Sequence, residues 1–278
     1  MKLDTLLHRW LRVPYVLHVR HNRRPKRPQA TAVFIHGIGN SGESWRKVIA
    51  RLDPRIRVVT VDLLGFGDSP QPAWSAYDAK RQAQAVHATL LKLRLGQPLF
   101  LVGHSLGALV AVEVARRYPR KVQSLILCSP PFYDTDLQKT LLPKNDALLR
   151  QLFSTIAKRP KQLAKLTTLA TKYKLVNEGF NVTDDNIETF TEVLRSAIIN
   201  QSAYRDIRSL SQPVRIIRGR LDPFVVPKNL KELAKEYSHI SLKSVSAAHE
   251  IKGVFVDAVV DVIETEVKDM TTVKRGVQ

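Results

Sequence analysis

The segment Gly103-His104-Ser105-Leu106-Gly107 constrains this chain more than any other stretch of its 278 residues. It follows the apolar run Leu99-Phe100-Leu101-Val102 and leads into Ala108-Leu109-Val110-Ala111-Val112-Glu113-Val114-Ala115, which reads as helix. The order is strand, tight turn, helix, with a serine at the apex. A turn this sharp leaves no room for a Cβ at the flanking glycines. The bend pushes the serine oxygen out of the sheet, and the following helix presents its N-terminal amides to the same spot. A bare G-x-S-x-G string recurs by chance, so its weight depends on what else the chain carries.

Three further segments stand in a matching order. Thr31-Ala32-Val33-Phe34-Ile35 reads as a buried strand and runs into His36-Gly37-Ile38-Gly39-Asn40-Ser41-Gly42. Acyl transfer needs two backbone amides aimed at a developing oxyanion. The candidates are the amide of Leu106 and an amide from this loop, Ile38 before Gly39. Gly37 and Gly39 let the backbone approach a substrate without a side-chain clash. Next, Val214-Arg215-Ile216-Ile217-Arg218-Gly219 ends in a glycine turn, with Asp222 just beyond it. A carboxylate there can hold a histidine in its productive tautomer. The alternative for Asp222-Pro223 is an ordinary turn pair. Finally, His249 follows the strand-like Ile240-Ser241-Leu242-Lys243-Ser244-Val245. Among the eight histidines it is the one expected at the carboxyl edge after that strand, where open α/β sheets bind ligands.

The order Ser105, Asp222, His249, together with these loops, resembles the α/β-hydrolase fold family, in its cap-bearing form. The stretch Val58-Val59-Thr60-Val61-Asp62-Leu63-Leu64-Gly65-Phe66-Gly67-Asp68-Ser69 is similar to that family's strand followed by a D-x-x-G-x-G-x-S loop. The resemblance runs from about residue 13 to about residue 268, although the middle third carries no motif and matches by position only. It implies Ser105 as nucleophile, His249 as general base and Asp222 as its orienting acid. It also implies a mostly parallel sheet of seven or eight strands with helices on both faces. In front of the first catalytic strand, Tyr15-Val16-Leu17-His18-Val19-Arg20 is the one clear strand candidate.

Apolar runs near 32–36, 58–62, 99–103, 122–128, 214–219 and 240–245 alternate with helical stretches near 41–52, 75–95, 105–118, 227–237 and 252–268. That alternation predicts a parallel sheet, with strand ends gathered on one edge. From Pro131 to Gln212 it stops, and only helical periodicity remains. Residues 1–130 and 213–278 therefore read as core and 131–212 as an inserted helical cap, since a structureless loop of that length is improbable. Its apolar stripes are Leu149, Leu152, Phe153, Ile156; then Leu163, Leu166, Leu169, Ala170, Tyr173; then Ile187, Phe190, Leu194, Ala197, Ile198, behind Thr183 as N-cap. The pocket beneath is expected to be apolar, with Ile38, Leu64, Phe66, Leu106, Pro131, Phe132 and Val225 in its wall. Gly37, Gly39 and His104 are the other expected substrate neighbours. The tail from Met270 is expected to fray.

Composition bounds the partners. The single cysteine, Cys128, allows no disulfide within the chain and reads as a core residue. No apolar run approaches the ~20 residues of a membrane span. The first ten residues lack a signal-peptide pattern, so cytoplasmic location is the expectation. They suit a short amphipathic helix, with Leu3, Leu6, Leu7, Trp10 and Leu11 on one side, expected to pack on the domain. The net charge is +19. No zinc-finger spacing, RNP motif or recognition helix accompanies it, so no nucleic-acid partner is expected. Weak contact with anionic surfaces is the milder reading. No metal or organic cofactor is expected, and oligomeric state is open.

The resulting expectation is hydrolysis of small or medium carboxylic esters, or of lactones, through an acyl-enzyme on Ser105. A serine at the apex sets the chain apart from the family's haloalkane dehalogenases and epoxide hydrolases, which use aspartate. Hydrolysis of a carbon–carbon bond in a vinylogous diketone is the alternative reaction. A ligand-binding or anionic-surface-binding protein without catalysis is the alternative class.

Overall fold

A computed structural model describes residues 3–95, 99–133 and 186–275. Its seven strands are β1 (Val19–Arg23), β2 (Ala30–Ile35), β3 (Ile56–Val61), β4 (Leu99–His104), β5 (Val122–Cys128), β6 (Val214–Gly219) and β7 (Ile240–Val245). They form one sheet in the order β1-β3-β2-β4-β5-β6-β7. β1 pairs antiparallel with β3, and every other pairing is parallel. The helices are α1 (Arg46–Ile49), α2 (Ala79–Lys92), α3 (Leu106–Arg117), α4 (Ile187–Val193), α5 (Ala203–Asp206), α6 (Pro227–Glu236) and α7 (Val254–Arg275). This is the α/β arrangement the alternating pattern predicts.

The central strands β2 to β5 are apolar on both faces because both are covered. Period-two alternation sends Val33, Ile35, Leu101 and Leu125 into one cluster with α2, α3 and α6. It sends Phe34, Phe100, Val102 and Ile126 into the other, against α1 and α7. Near-continuous runs of Val, Ile and Leu are the signature of parallel strands buried on both sides.

Four expectations change. The front strand begins at Val19 rather than Tyr15. The alternating Tyr15 and Leu17 are buried all the same, but by loop contacts: the Leu17 amide donates to Thr89 Oγ1 at 2.8 Å. Helix α2 starts later than the apolar pattern suggests, because Tyr77 takes φ 50° and Asp78 caps the Arg81 amide at 2.7 Å. Helix α7 continues through Arg275, five residues past Met270. The N-terminal residues do form a helical turn, Thr5–Trp10, but Leu3, Leu6, Trp10 and Leu11 are exposed instead of packed.

Of the expected 131–212 insertion, residues 134–185 lie outside the described residues, and with them the first two apolar stripes and Thr183. The third stripe is helical. Ile187, Phe190, Leu194, Ala197 and Ile198 are all buried in the cluster that also holds α3. Helix α4 packs over the loop after β3, where a Cβ on Gly65 would sit 2.6 Å from Thr189.

Candidate active site

Ser105 occupies the turn between β4 and α3, with φ 52° and ψ −116°. L-residues avoid that region, and it persists only where the surroundings impose it. The Ser105 amide donates to the Cys128 carbonyl (2.9 Å), and the Ala108 amide donates to the Ser105 carbonyl (3.0 Å). A Cβ on Gly103 would overlap the Gly107 carbonyl, and one on Gly107 would overlap the Ile35 carbonyl. The elbow closes against the ends of β2 and β4 because those side chains are absent.

Asp222 and His249 come from the loops after β6 and β7, and backbone bonds zip the two loops together. Arg220 donates to the Val245 carbonyl (2.8 Å) and Leu221 to the Ala247 carbonyl (3.0 Å). Gly219 permits this approach, since a Cβ there would overlap the Ala247 and Ala248 carbonyls. His249 Nδ1 then lies 3.0 Å from Asp222 Oδ1 and 2.9 Å from Oδ2. Burial alone would raise the Asp222 pKa. The His249 ring and the Phe224 amide outweigh it and hold the carboxyl below its ordinary range. An ionised Asp222 keeps the proton on Nδ1 and leaves Nε2 as a base. No hydrogen bond of ordinary geometry joins Ser105 Oγ to His249 among the described residues. Such contacts commonly tighten only when substrate binds.

The loop after β2 is organised by His36. The Leu63 amide donates to His36 Nε2 (2.8 Å), so the proton sits on Nδ1 and is donated to the Gly37 carbonyl (2.7 Å). Complete burial lowers the His36 pKa to about 4 and keeps the ring neutral. The Asn40 amide also donates to the Gly37 carbonyl, at 3.2 Å, and Gly39 takes φ 71°. The Ile38 and Leu106 amides meet no acceptor among the described residues.

Leu64, Phe66, Phe132 and Val225 are buried in the apolar cluster on the α3 side. Pro131 and Phe132 are held by their carbonyls, which accept from Gln201 Nε2 (2.6 Å) and Asn229 Nδ2 (3.0 Å). His104 meets the loop that carries His249. Its buried ring donates from Nε2 to the His249 carbonyl (2.9 Å) and lies 4.9 Å, centroid to centroid, from the His249 ring. Burial lowers its pKa to about 3. Sequence reasoning missed this contact, the edge-on packing of Phe224 on His249 at 5.0 Å, and Ser129, which is fully buried with φ 48°.

The elbow, both loops and the Asp222–His249 pair fall within one family profile. The profile of the alpha/beta hydrolase fold matches residues 32–252. The chain belongs to the alpha/beta hydrolase fold family. Within this family it is similar to the probable lysophospholipase BODYGUARD 4 of Arabidopsis thaliana, 29% identical over 117 residues, 41% of this chain and 28% of that protein. An uncharacterized protein of Mycobacterium tuberculosis is 38% identical over 97 residues, 35% of this chain and 28% of that protein. The chain thus covers well under two thirds of either relative. Among solved structures, the enol-lactonase from Burkholderia xenovorans LB400 superposes with a TM-score of 0.72 at 18% identity, covering 91% of this chain and 96% of that one. Likeness at that identity is likeness of fold.

This alpha/beta hydrolase fold protein also brings His18, Asp62 and Asp68 together, with ligand-type atoms within 4.8 Å of one another. Arg20 already supplies the positive charge there. Its guanidinium lies 2.5 Å from Asp62 and 2.6 Å from Asp68. The buried Asp62 carboxylate also accepts from the Gly42 (2.8 Å) and Asp68 (3.0 Å) amides. The cluster reads as a brace for the D-x-x-G-x-G-x-S loop.

Proposed function

We propose that this protein is a serine hydrolase that cleaves carboxylic esters, small to medium acyl esters or lactones, through an acyl-enzyme on Ser105. The observation that carries the reading is the strained Ser105 elbow on the same sheet edge as a 2.9 Å Asp222–His249 pair. His249 Nε2 takes the Ser105 proton as the oxygen attacks the carbonyl carbon. The amides of Ile38 and Leu106 hold the tetrahedral oxyanion; such a donor lowers a barrier by about 3–4 kcal/mol. His249 then protonates the leaving group, and water repeats the sequence on the acyl-enzyme. No cofactor enters this chemistry.

In the same reading, the described part of the insertion, residues 186–212, roofs the pocket, and Leu64, Phe66, Phe132 and Val225 form its apolar wall. The experiment is a rate series on p-nitrophenyl esters of graded length and on lactones, with a ring-cleavage diketone alongside and Ser105→Ala as control. A fluorophosphonate probe should label Ser105 in the folded parent. Turnover of the diketone alone would replace ester cleavage with carbon–carbon cleavage. Absence of labelling in folded protein would remove the catalytic reading.

A further inference from the structure

Six of the nine exposed large apolar side chains among the described residues crowd into one short N-terminal stretch: Leu3, Leu6, Trp10, Leu11, Val13 and Val16. Leu3, Trp10 and Leu11 are the most exposed of these, at 68%, 66% and 62%. Apolar side chains scattered singly need no explanation, but a contiguous group marks a contact surface. The stretch is held in place from its other side. Tyr15, buried in the core, donates to Asp4 Oδ2 (2.9 Å), and the His8 ring stacks on Tyr15 at 3.7 Å between centroids. His8 Nδ1 also lies 2.7 Å from the Val13 carbonyl. The apolar face is therefore presented outward by a fixed scaffold.

Its surroundings are cationic. Arg9 and Arg12 are exposed beside Trp10 and Leu11. Arg12 also lines a cavity of about 330 Å³ together with Lys80, Arg81 and a single carboxylate, Asp78. None of these four cations joins an ion pair among the described residues. Residues 1–58 hold thirteen Lys and Arg against three Asp and Glu. An apolar face with an interfacial Trp and a basic margin is the pattern that settles at a lipid headgroup boundary.

We propose that this N-terminal face docks the protein onto an anionic phospholipid bilayer. Charge decides the occupant. A second copy seated symmetrically on the same face would bring both sets of arginines together on chains that each carry +19, which repels. Anionic headgroups instead complement Arg9, Arg12, Lys80 and Arg81 while the acyl boundary takes up Leu3, Trp10 and Leu11. The cavity shares Leu64 with the loop after β3, so the docked face lies beside the sheet edge that carries Ser105. Docking is independent of chemistry at Ser105.

The test is co-sedimentation with phosphatidylcholine vesicles containing about one third phosphatidylglycerol, compared with phosphatidylcholine alone. Ser105→Ala protein is used so that lipid stays intact. Tryptophan fluorescence is read in parallel, with a Trp10→Phe protein to subtract the emission of Trp45 and Trp74. Binding should be roughly tenfold stronger to the anionic vesicles, weaken in molar salt, and shift tryptophan emission to the blue. The double variant W10E/L11E on the Ser105→Ala chain should lose that binding roughly tenfold, while the same double variant with Ser105 intact keeps the parent's melting temperature and rate on a soluble p-nitrophenyl ester. Equal binding to both vesicles, binding untouched by W10E/L11E, or no binding at all would each overturn the proposal. So would a dimer in solution that W10E/L11E dissociates.

Discussion

The Nε2 of His104 donates to the backbone carbonyl of His249 across 2.9 Å. The residue that precedes Ser105 thus holds the main chain of His249. The bond ties the β4 elbow to the loop after β7, two segments that meet only in the folded sheet. In the proposed serine-hydrolase reading it holds the His249 ring relative to Ser105, which would make His104 a positioning residue.

His104→Ala should therefore lower kcat roughly tenfold to a hundredfold with KM little changed, because a displaced base costs rate more than binding. The loss of one buried hydrogen bond should cost stability by about 1 kcal/mol. His104→Gln, whose amide can donate, should recover part of kcat. Steady-state kinetics on a p-nitrophenyl ester beside thermal melts separate the two effects. A KM rise at unchanged kcat would assign His104 to substrate contact instead.

Glycines at this site should sort by what a methyl would meet. Gly107→Ala drives carbon into the Ile35 carbonyl of a buried strand, and should cost more than about 3 kcal/mol or prevent folding. Gly253→Ala meets nothing within 4 Å but sits at φ +52°, and should cost only about 1 kcal/mol. Gly37→Ala meets His104 Nδ1 at 3.1 Å and the Ser105 Cβ at 3.2 Å. Those atoms must give by a few tenths of an ångström, so activity should fall more than stability. Denaturant melts of the three variants give the order.

The parts legible in the sequence were those set by local pattern. β5 and β6 fall where apolar-rich runs place them, β7 where apolar residues recur between polar ones, and Asp222 and His249 are paired as chain order implies. What escaped depends on tertiary contact. Tyr15 and Leu17 alternate like a strand, yet Leu17 spends its amide on Thr89 in α2. The N-terminal stripe looks like a packing face, yet no neighbour among the described residues covers Trp10. His36 and His104 sit in motif positions, but their partners, Leu63 and His249, lie on other strands' loops. No spacing rule carries that information.

Both of those histidines are neutral when folded, and this sets the acid limit. Burial lowers His36 to about 4 and His104 to about 3, from an ordinary 6.5. Between pH 6.5 and those values the unfolded chain binds protons that the folded chain does not. Stability therefore rises with pH across that window and falls as pH falls. The two together are worth several kcal/mol, on the order of 1.4 for each unit of displacement. Asp222, held below its usual range, adds the same sign at lower pH, with its contribution lost as pH falls through its folded value. Melting temperature should drop steeply from pH 6.5 to 4, and the His104→Gln protein should show a shallower drop. Parallel curves would mean that His104 keeps its proton in the fold.

Gln82 makes the last case. From inside α2 its side chain clamps the Leu64 backbone, accepting from the amide at 2.9 Å and donating to the carbonyl at 2.8 Å. The residue is fully buried. Gln82→Glu preserves shape and the acceptor, but sets a carboxylate oxygen against the Leu64 carbonyl with no proton between them. The carboxyl can restore the bond only by staying protonated, so its folded pKa must rise well above the ordinary Glu value near 4.3. A raised pKa stabilises the fold below the unfolded value and is lost as pH rises through the folded value. The variant should therefore match the parent near pH 4.5 and fall behind it by roughly 2–3 kcal/mol at pH 8, the cost of an unsatisfied buried group. Parent and variant melts at the two pH values give the difference directly. A gap that does not grow with pH would show that Leu64 is held by something other than this amide.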